Sequence, residues 1–247
     1  MSRTTSSDPS FLFLAGSAQH KDLTSIAMSV EGYDATQVKL LEEECILLDE
    51  QDNIIGHDSK KTCHLITEIE KGLLHRAFSV FLFNSENKLL LQQRADEKIT
   101  FPEVWTNTCC SHPLYRDDET NGVEGAKNAA VRKLDHELGI TDVKTEDLQF
   151  LTRMHYKALQ GDGVWGEHEI DYIFFAKKDV KHEINPNEIK AVRYVSKDEL
   201  EAMLNDKALK FSPWFNLIKH EFLYKWWDSL IAGDLEKHVD TETVHKL

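Results

Sequence analysis

Gly122-Val123-Glu124-Gly125-Ala126-Lys127-Asn128-Ala129-Ala130-Val131-Arg132-Lys133-Leu134-Asp135-His136-Glu137-Leu138-Gly139-Ile140 reads as one long helix with a defined end. Val123, Ala126, Ala130, Leu134 and Leu138 recur at helical spacing, and Gly139 stops the run. On its N-terminal side, Ala77–Phe83 and Lys88–Gln93 flank the polar Asn84-Ser85-Glu86-Asn87, a hairpin signal. Further back, Cys45–Leu48 and Ile54-Ile55-Gly56 read as two strands around a polar turn, preceded by a helix-like stretch over Asp34–Glu44. On the C-terminal side, Asp147–Tyr156, Glu169–Ala176 and Glu188–Val195 read as strands. Ser196 opens a helix with Glu199 three residues on, a capping box, and Phe211–Leu230 is aromatic-rich and mostly helical. Strands and helices mix without a βαβ rhythm. The expected class is therefore α/β of the α+β kind: a mixed sheet sandwiched between helices, with added strands and C-terminal helices. Residues 1–35, rich in Ser and Thr, read as a mobile tail, and 36–247 as a single domain.

Bulk properties narrow the functions available. Lys and Arg total 29 against 43 Asp and Glu, a net charge of -14, which disfavours nucleic acid and anionic membrane as partners. A phosphate ligand would need the few cations gathered locally. The four cysteines, Cys45, Cys63, Cys109 and Cys110, lack a Cys-x-x-Cys spacing and suggest a reducing compartment. No run of eighteen apolar residues occurs, and Phe11–Gly16 is too short for a span or a signal peptide. The expected compartment is the cytoplasm, with a competing peroxisomal reading because His245-Lys246-Leu247 loosely resembles a Ser-Lys-Leu address. A monomer is the default.

Four constellations carry chemistry. His64, His75, His112 and His168 sit in strand-like or turn-like segments beside acidic residues, and imidazole nitrogen with carboxylate oxygen suits a divalent metal. Glu167 and Glu169 are two apart, so one strand face would carry both while His168 points away. Thr106-Asn107-Thr108-Cys109-Cys110-Ser111-His112-Pro113 places a thiol two residues from an imidazole, a setting in which a thiol moves protons or attacks carbon. Lys60, Lys61, Arg76, Arg94 and Lys98 are candidate phosphate contacts. Finally, Glu124-x7-Arg132-Lys133-Leu134-Asp135-His136-Glu137-Leu138-Gly139-Ile140 resembles the Nudix box, Gly-x5-Glu-x7-Arg-Glu-apolar-x-Glu-Glu-x-Gly-apolar. Asp118 stands at the box's first Gly, and Lys133 and His136 stand where two glutamates hold cations in a Nudix hydrolase.

Taken together the motifs resemble type I isopentenyl diphosphate isomerase, in its eukaryotic branch, over roughly Ala35 to Ser229. The matching stretches are Lys60-Lys61-Thr62-Cys63-His64-Leu65, Gly72-Leu73-Leu74-His75-Arg76-Ala77-Phe78-Ser79, Leu91-Gln92-Gln93-Arg94, Thr106 to Pro113, His155-Tyr156-Lys157-Ala158, Trp165-Gly166-Glu167-His168-Glu169-Ile170-Asp171-Tyr172 and Ser212-Pro213-Trp214-Phe215. The resemblance implies a Nudix-like fold and a reversible 1,3-allylic shift between isopentenyl and dimethylallyl diphosphate, serving isoprenoid and sterol biosynthesis. It also implies roles for residues. His64, His75, His112, Glu167 and Glu169 would hold a metal, with Zn²⁺, Mn²⁺ and Mg²⁺ all suited. Glu137 would hold a second cation, Mg²⁺, on the diphosphate. Cys110 and Glu169 would be the catalytic thiol and carboxylate, Tyr156 would hydrogen-bond near that carboxylate, and Trp214 would face the hydrocarbon. Lys60, Arg94, Lys98 and Ser111 would contact the diphosphate. The preferred order is Glu169 with Tyr156 as acid at C4 and Cys110 as base at C2. Two readings compete with it. One is a Nudix-type diphosphate hydrolase, which Lys133 and His136 disfavour. The other is a non-catalytic binding protein, which intact Cys110 and Glu169 disfavour.

Overall fold

The computed structural model describes residues 30–247. Most of the expected tail, and with it Phe11–Gly16, lies outside the described residues. Asp34–Leu247 forms one compact unit. Asp34 already belongs to it, because its carboxylate accepts from the Thr36 and Gln37 amides and caps the first helix.

In chain order the elements are α1 (Ala35–Leu40), β1 (Glu44–Leu48), β2 (Ile54–Ser59), α2 (Lys60–His64), α3 (Ile66–Ile69), β3 (His75–Phe83), β4 (Leu89–Arg94), β5 (Trp105–Thr106), β6 (Cys109–Ser111), α4 (Gly122–Leu138), β7 (Gln149–Leu159), β8 (Gly166–Lys177), β9 (Ile189–Val195), α5 (Lys197–Asn205), α6 (Pro213–Ile218), α7 (Tyr224–Ala232) and β10 (Val244–Lys246). The expected helix over 122–138 is α4, closed by Gly139 in the left-handed conformation at φ 62°. The Ser196–Glu199 capping box is present. A π-helical turn, Lys219–Leu223, joins α6 to α7. Two short strands, β5 and β6, fall in and beside the polar Thr106–Pro113 segment.

β3 organises the sheet. Its nine residues are all buried. Along one edge it pairs in parallel with β8 from His75↔Glu169 to Phe83↔Lys177. Its other edge is shared by three strands in succession: β1 at His75, β6 at Phe78–Val80 and β4 at Phe83. The hairpin to β4 therefore keeps one residue pair only, and β4 leaves to pair with β9 and β5. Alternation along β3 splits the core. Phe78, Val80 and Leu82 pack with Ala126, Ala130, Leu134 and Leu138 of α4. Phe81 and Phe83 pack with Phe215, Ile218, Trp226 and Trp227 of the C-terminal helices. The sheet is thus sandwiched between α4 and that helical pair, in agreement with the expected class.

Two details bear on the site. Antiparallel pairing of β7 with β8 slips register between Phe150 and Thr152 and resumes with Tyr156 opposite Glu169, a one-residue bulge. α4 lies close against the loop before it, since a Cβ on Gly125 would sit 2.3 Å from the Glu119 carbonyl oxygen. At the far edge, β10 pairs in parallel with β7 and the Leu247 amide donates to the His155 carbonyl at 3.0 Å. An address at His245-Lys246-Leu247 would have to leave this edge to be bound. Among the described residues, no helix is long and apolar enough to cross a membrane.

Candidate active site

Five side chains converge from four segments. His64 ends α2, a single helical turn started by the Ser59 hydroxyl cap and not evident in the sequence pattern. His75 starts β3, His112 follows β6, and Glu167 and Glu169 lie two apart on one face of β8. Their ligand atoms all fall within 4.8 Å of one another. The three imidazole centroids form a nearly equilateral triangle with sides of 4.8, 4.8 and 4.9 Å. His168 turns away, with Nδ1 at 2.8 Å from the Leu73 carbonyl and Nε2 at 2.9 Å from His155 Nε2.

The cluster has the donor set of a metal site. His64 Nε2 and Glu167 Oε2 approach to 2.8 Å, yet neither atom makes a hydrogen bond of acceptable geometry, and both nitrogens of His75 are also orphaned in the interior. Buried polar atoms left in this state are costly, and here they face one point. The Nδ1 of His64 meets the Lys60 carbonyl at 2.6 Å, which orients the ring with Nε2 inward. Burial, with His64 and His75 alongside, pushes the His112 imidazole well down, so it is neutral and free to ligate. The residues fit a divalent cation.

Beside the cluster lies a small recess open to solvent, with several polar groups converging on it. Its lining includes Glu167, Glu169, His112 and Tyr156, with Ser79, Cys110 and Ser111, the cations Lys60, Arg94 and Lys98, and Trp214. Tyr156 donates its hydroxyl to Glu169 Oε2 at 2.5 Å, and Glu169 Oε1 lies 2.7 Å from His112 Nε2. Burial works to raise the Glu169 carboxyl, but His75, 3.3 Å away, with the Tyr156 hydroxyl, outweighs it and holds it below its ordinary range. Cys110 reaches the recess from the opposite edge of β3, where it pairs with Ser79. Burial pushes its thiol up to about 12, against the pull of Arg94, whose Nη1 lies 3.9 Å from Sγ. Arg94 is held by the carbonyls of Phe101 and Thr100 at 2.9 and 2.7 Å. The Phe101 backbone is left-handed at φ 46°, strain of the kind that collects at functional loops. Trp214 donates its indole N–H to Asn107 Oδ1 at 3.2 Å, so its ring is fixed while the Arg94 guanidinium lies 5.7 Å above it.

Three residues singled out in the sequence lie elsewhere. Arg76 is committed to Asp52 at 3.0 Å and is not among the lining residues. Lys61 is not among the lining residues. Glu137 stands outside the His/Glu cluster: Lys133 Nζ is 3.2 Å from Oε1, and Gln92 and Cys109 are at Oε2 at 3.3 and 3.6 Å. Lys133 therefore neutralises the one box glutamate that is buried. Sequence reasoning passed over Asn107, Thr100 and Glu188, which hold Trp214, Arg94 and Lys98. Asn107 lies inside a quoted motif, but Glu188 carries no local signal.

The NUDIX domain family matches residues 73–215. The isopentenyl-diphosphate delta-isomerase IDI1 of Gibberella zeae is 52% identical over 233 residues, covering 92% of this chain and 91% of that protein. The isopentenyl-diphosphate Delta-isomerase 1 of Mesocricetus auratus is 56% identical over 221 residues, covering 87% and 96%. Among solved structures, DR0079 from Deinococcus radiodurans superposes with a TM-score of 0.52 at 16% identity, over 73% of this chain and all of that one, a likeness of fold. With identity of this order running over most of both sequences, the chain belongs to the isopentenyl-diphosphate delta-isomerase family, built on a NUDIX domain.

Proposed function

We propose that this chain interconverts isopentenyl diphosphate and dimethylallyl diphosphate, a step of isoprenoid and sterol supply. The observation that carries this reading is that a thiol and a carboxylate, Cys110 and Glu169, reach one recess from opposite edges of β3. An allylic shift needs two such groups, one to deliver a proton to C4 and one to take a proton from C2, with a tertiary cation at C3 between. Tyr156 and Glu169 serve C4 and Cys110 serves C2. In the forward direction the proton leaves the Tyr156–Glu169 pair and a proton ends on the thiol. The fixed indole of Trp214 faces the cation and stabilises it by up to about 2 kcal/mol, and the bound substrate must displace the water that would trap it. Every residue in this assignment comes from one chain, so a monomer suffices.

Lys60, Arg94, Lys98 and Ser111 bind the diphosphate. Three imidazoles favour a first-row transition ion, Zn²⁺ or Mn²⁺, over Mg²⁺ at the His/Glu site. Such an ion, when bound, fixes the Glu169 carboxylate and changes its proton affinity. Glu137 would hold the Mg²⁺ that arrives with the diphosphate only by giving up its ion pair with Lys133. The hydrolase alternative lacks the two box carboxylates at Lys133 and His136. The reading is tested by incubation with isopentenyl diphosphate in D₂O with Mg²⁺. It expects dimethylallyl diphosphate deuterated at a methyl group, and absence of that product, or release of phosphate instead, refutes it.

Burial pulls the Lys98 ammonium down to about 8, with Glu188 opposing. Lys98 is charged below that pH and loses its charge above it, so kcat/KM for isopentenyl diphosphate falls as the pH rises through about 8. Lys98→Arg, whose guanidinium keeps its proton, removes that limb of the pH profile. A profile unchanged by Lys98→Arg overturns the assignment.

A further inference from the structure

Lys98 is nearly enclosed, and its ammonium is gripped from behind. Its Nζ lies 2.5 Å from Glu188 Oε2, and Glu188 does not line the recess. The other oxygen, Oε1, accepts from Gln37 Nε2 at 3.2 Å. Gln37 also donates to the Asn187 carbonyl and side-chain oxygens at 2.9 and 2.7 Å. Asn187 in turn donates to Asp34, the cap of α1, at 2.9 Å. Gln37 is the one residue of α1 that is buried, and a short helix anchored by an amide instead of an apolar side chain is unusual.

The backbone of Glu188 is equally constrained. Its carbonyl accepts from Ala95 at 3.0 Å and its amide donates to Asn185 at 2.9 Å. The β4–β9 register shifts next to it, between Gln93 and Arg94. The carboxylate is thus set in one place, in contact with Lys98.

We propose that Glu188 and Gln37 are positioning residues for diphosphate binding, a relay from α1 that holds the Lys98 ammonium charged and aimed into the recess. This rests on the reading that Lys98 contacts the diphosphate. A carboxylate near an anion site would ordinarily weaken binding. Here it faces the far side of the ammonium and offsets two costs: desolvation of Lys98, and repulsion from Arg94 and Lys60. Without Glu188 those costs fall on the proton of Lys98. Without Gln37 the carboxylate keeps its charge and loses its orientation, so the smaller effect is expected there.

The test uses the full chain and inorganic pyrophosphate as the probe, by calorimetry and by competitive inhibition, with Lys98→Met as reference. Glu188→Gln raises the pyrophosphate dissociation constant about tenfold, and Gln37→Ala about threefold. Both raise KM for isopentenyl diphosphate more than they lower kcat. The double variant Lys98→Met with Glu188→Gln binds no more weakly than Lys98→Met alone. Should Glu188→Gln fail to fold, Gln37→Ala and its cycle with Lys98→Met decide the matter. If Lys98→Met weakens pyrophosphate while Glu188→Gln and Gln37→Ala do not, or if the effects add in the double variants, the relay is refuted. If Lys98→Met itself binds pyrophosphate like the parent, the diphosphate reading of Lys98 fails first.

Discussion

Glu169→Gln is expected to lower kcat by on the order of 10³–10⁴-fold, the size of a lost acid–base group. The amide fills the same volume but carries no exchangeable proton on a scale useful at neutral pH. It leaves Tyr156 without the charged acceptor it meets at 2.5 Å, and His112 without its partner at 2.7 Å. It also removes one oxygen donor from the five-residue cluster, for which a loss of metal affinity of about 10–100-fold is typical. The two losses separate experimentally. Turnover measured at saturating Zn²⁺ or Mn²⁺ isolates the proton-transfer loss, and metal content after dialysis reports the other. Turnover within tenfold of the parent under saturating metal removes Glu169 from the proton-transfer role.

Cys110→Ala is expected to lower kcat by on the order of 10³-fold with little change in KM. Cys110 is half-buried and lines the recess, so truncation leaves the fold intact. Cys110→Ser should be nearly as inactive, since a hydroxyl exchanges its proton far less readily than a thiol. The neighbour supplies the control. Cys109 faces the opposite side of β6, in the core beside α4 with Sγ 3.6 Å from Glu137. Cys109→Ala is expected to affect stability more than kcat. Equal kinetic effects at the two cysteines would show that this segment acts through packing rather than proton transfer. Both comparisons are single-turnover measurements with isopentenyl diphosphate, supported by thermal melts.

What could be read in advance follows the range of the forces involved. α4 was legible because helical periodicity and a glycine stop are local, and β7, β8 and β9 because short runs of β-branched and aromatic residues are local. The convergence of Cys110 with Glu169 was visible only through a resemblance carried by long motifs, since no spacing along a chain says that residues 59 apart share a recess. α2 escaped because one turn holding Cys63 and His64 has no period to display. Arg76 drew attention as a cation in an acidic chain. Its partner Asp52 sits at φ 67° in the β1–β2 turn, and that encounter exists only after folding. Glu188 is the clearest case: its contact with Lys98 spans 90 residues, and neither residue's neighbours anticipate it.

The bulge in β7 has a bearing on how this protein tolerates change in length. Strand faces alternate with a period of two, so the extra residue between Phe150 and Thr152 works as a half-period phase shift. Ahead of it Phe150 packs on the α4 side, and beyond it Met154 and Tyr156 face the other core. A one-residue deletion between the bulge and Tyr156 would shift the register and present Lys157 where Tyr156 now meets Glu169. The turn beyond, around Gly161 and Gly163, lies after Tyr156 and has no such parity to keep. Insertions and deletions along lineages of this fold should therefore accumulate in that turn and be absent from the few residues between the bulge and the tyrosine.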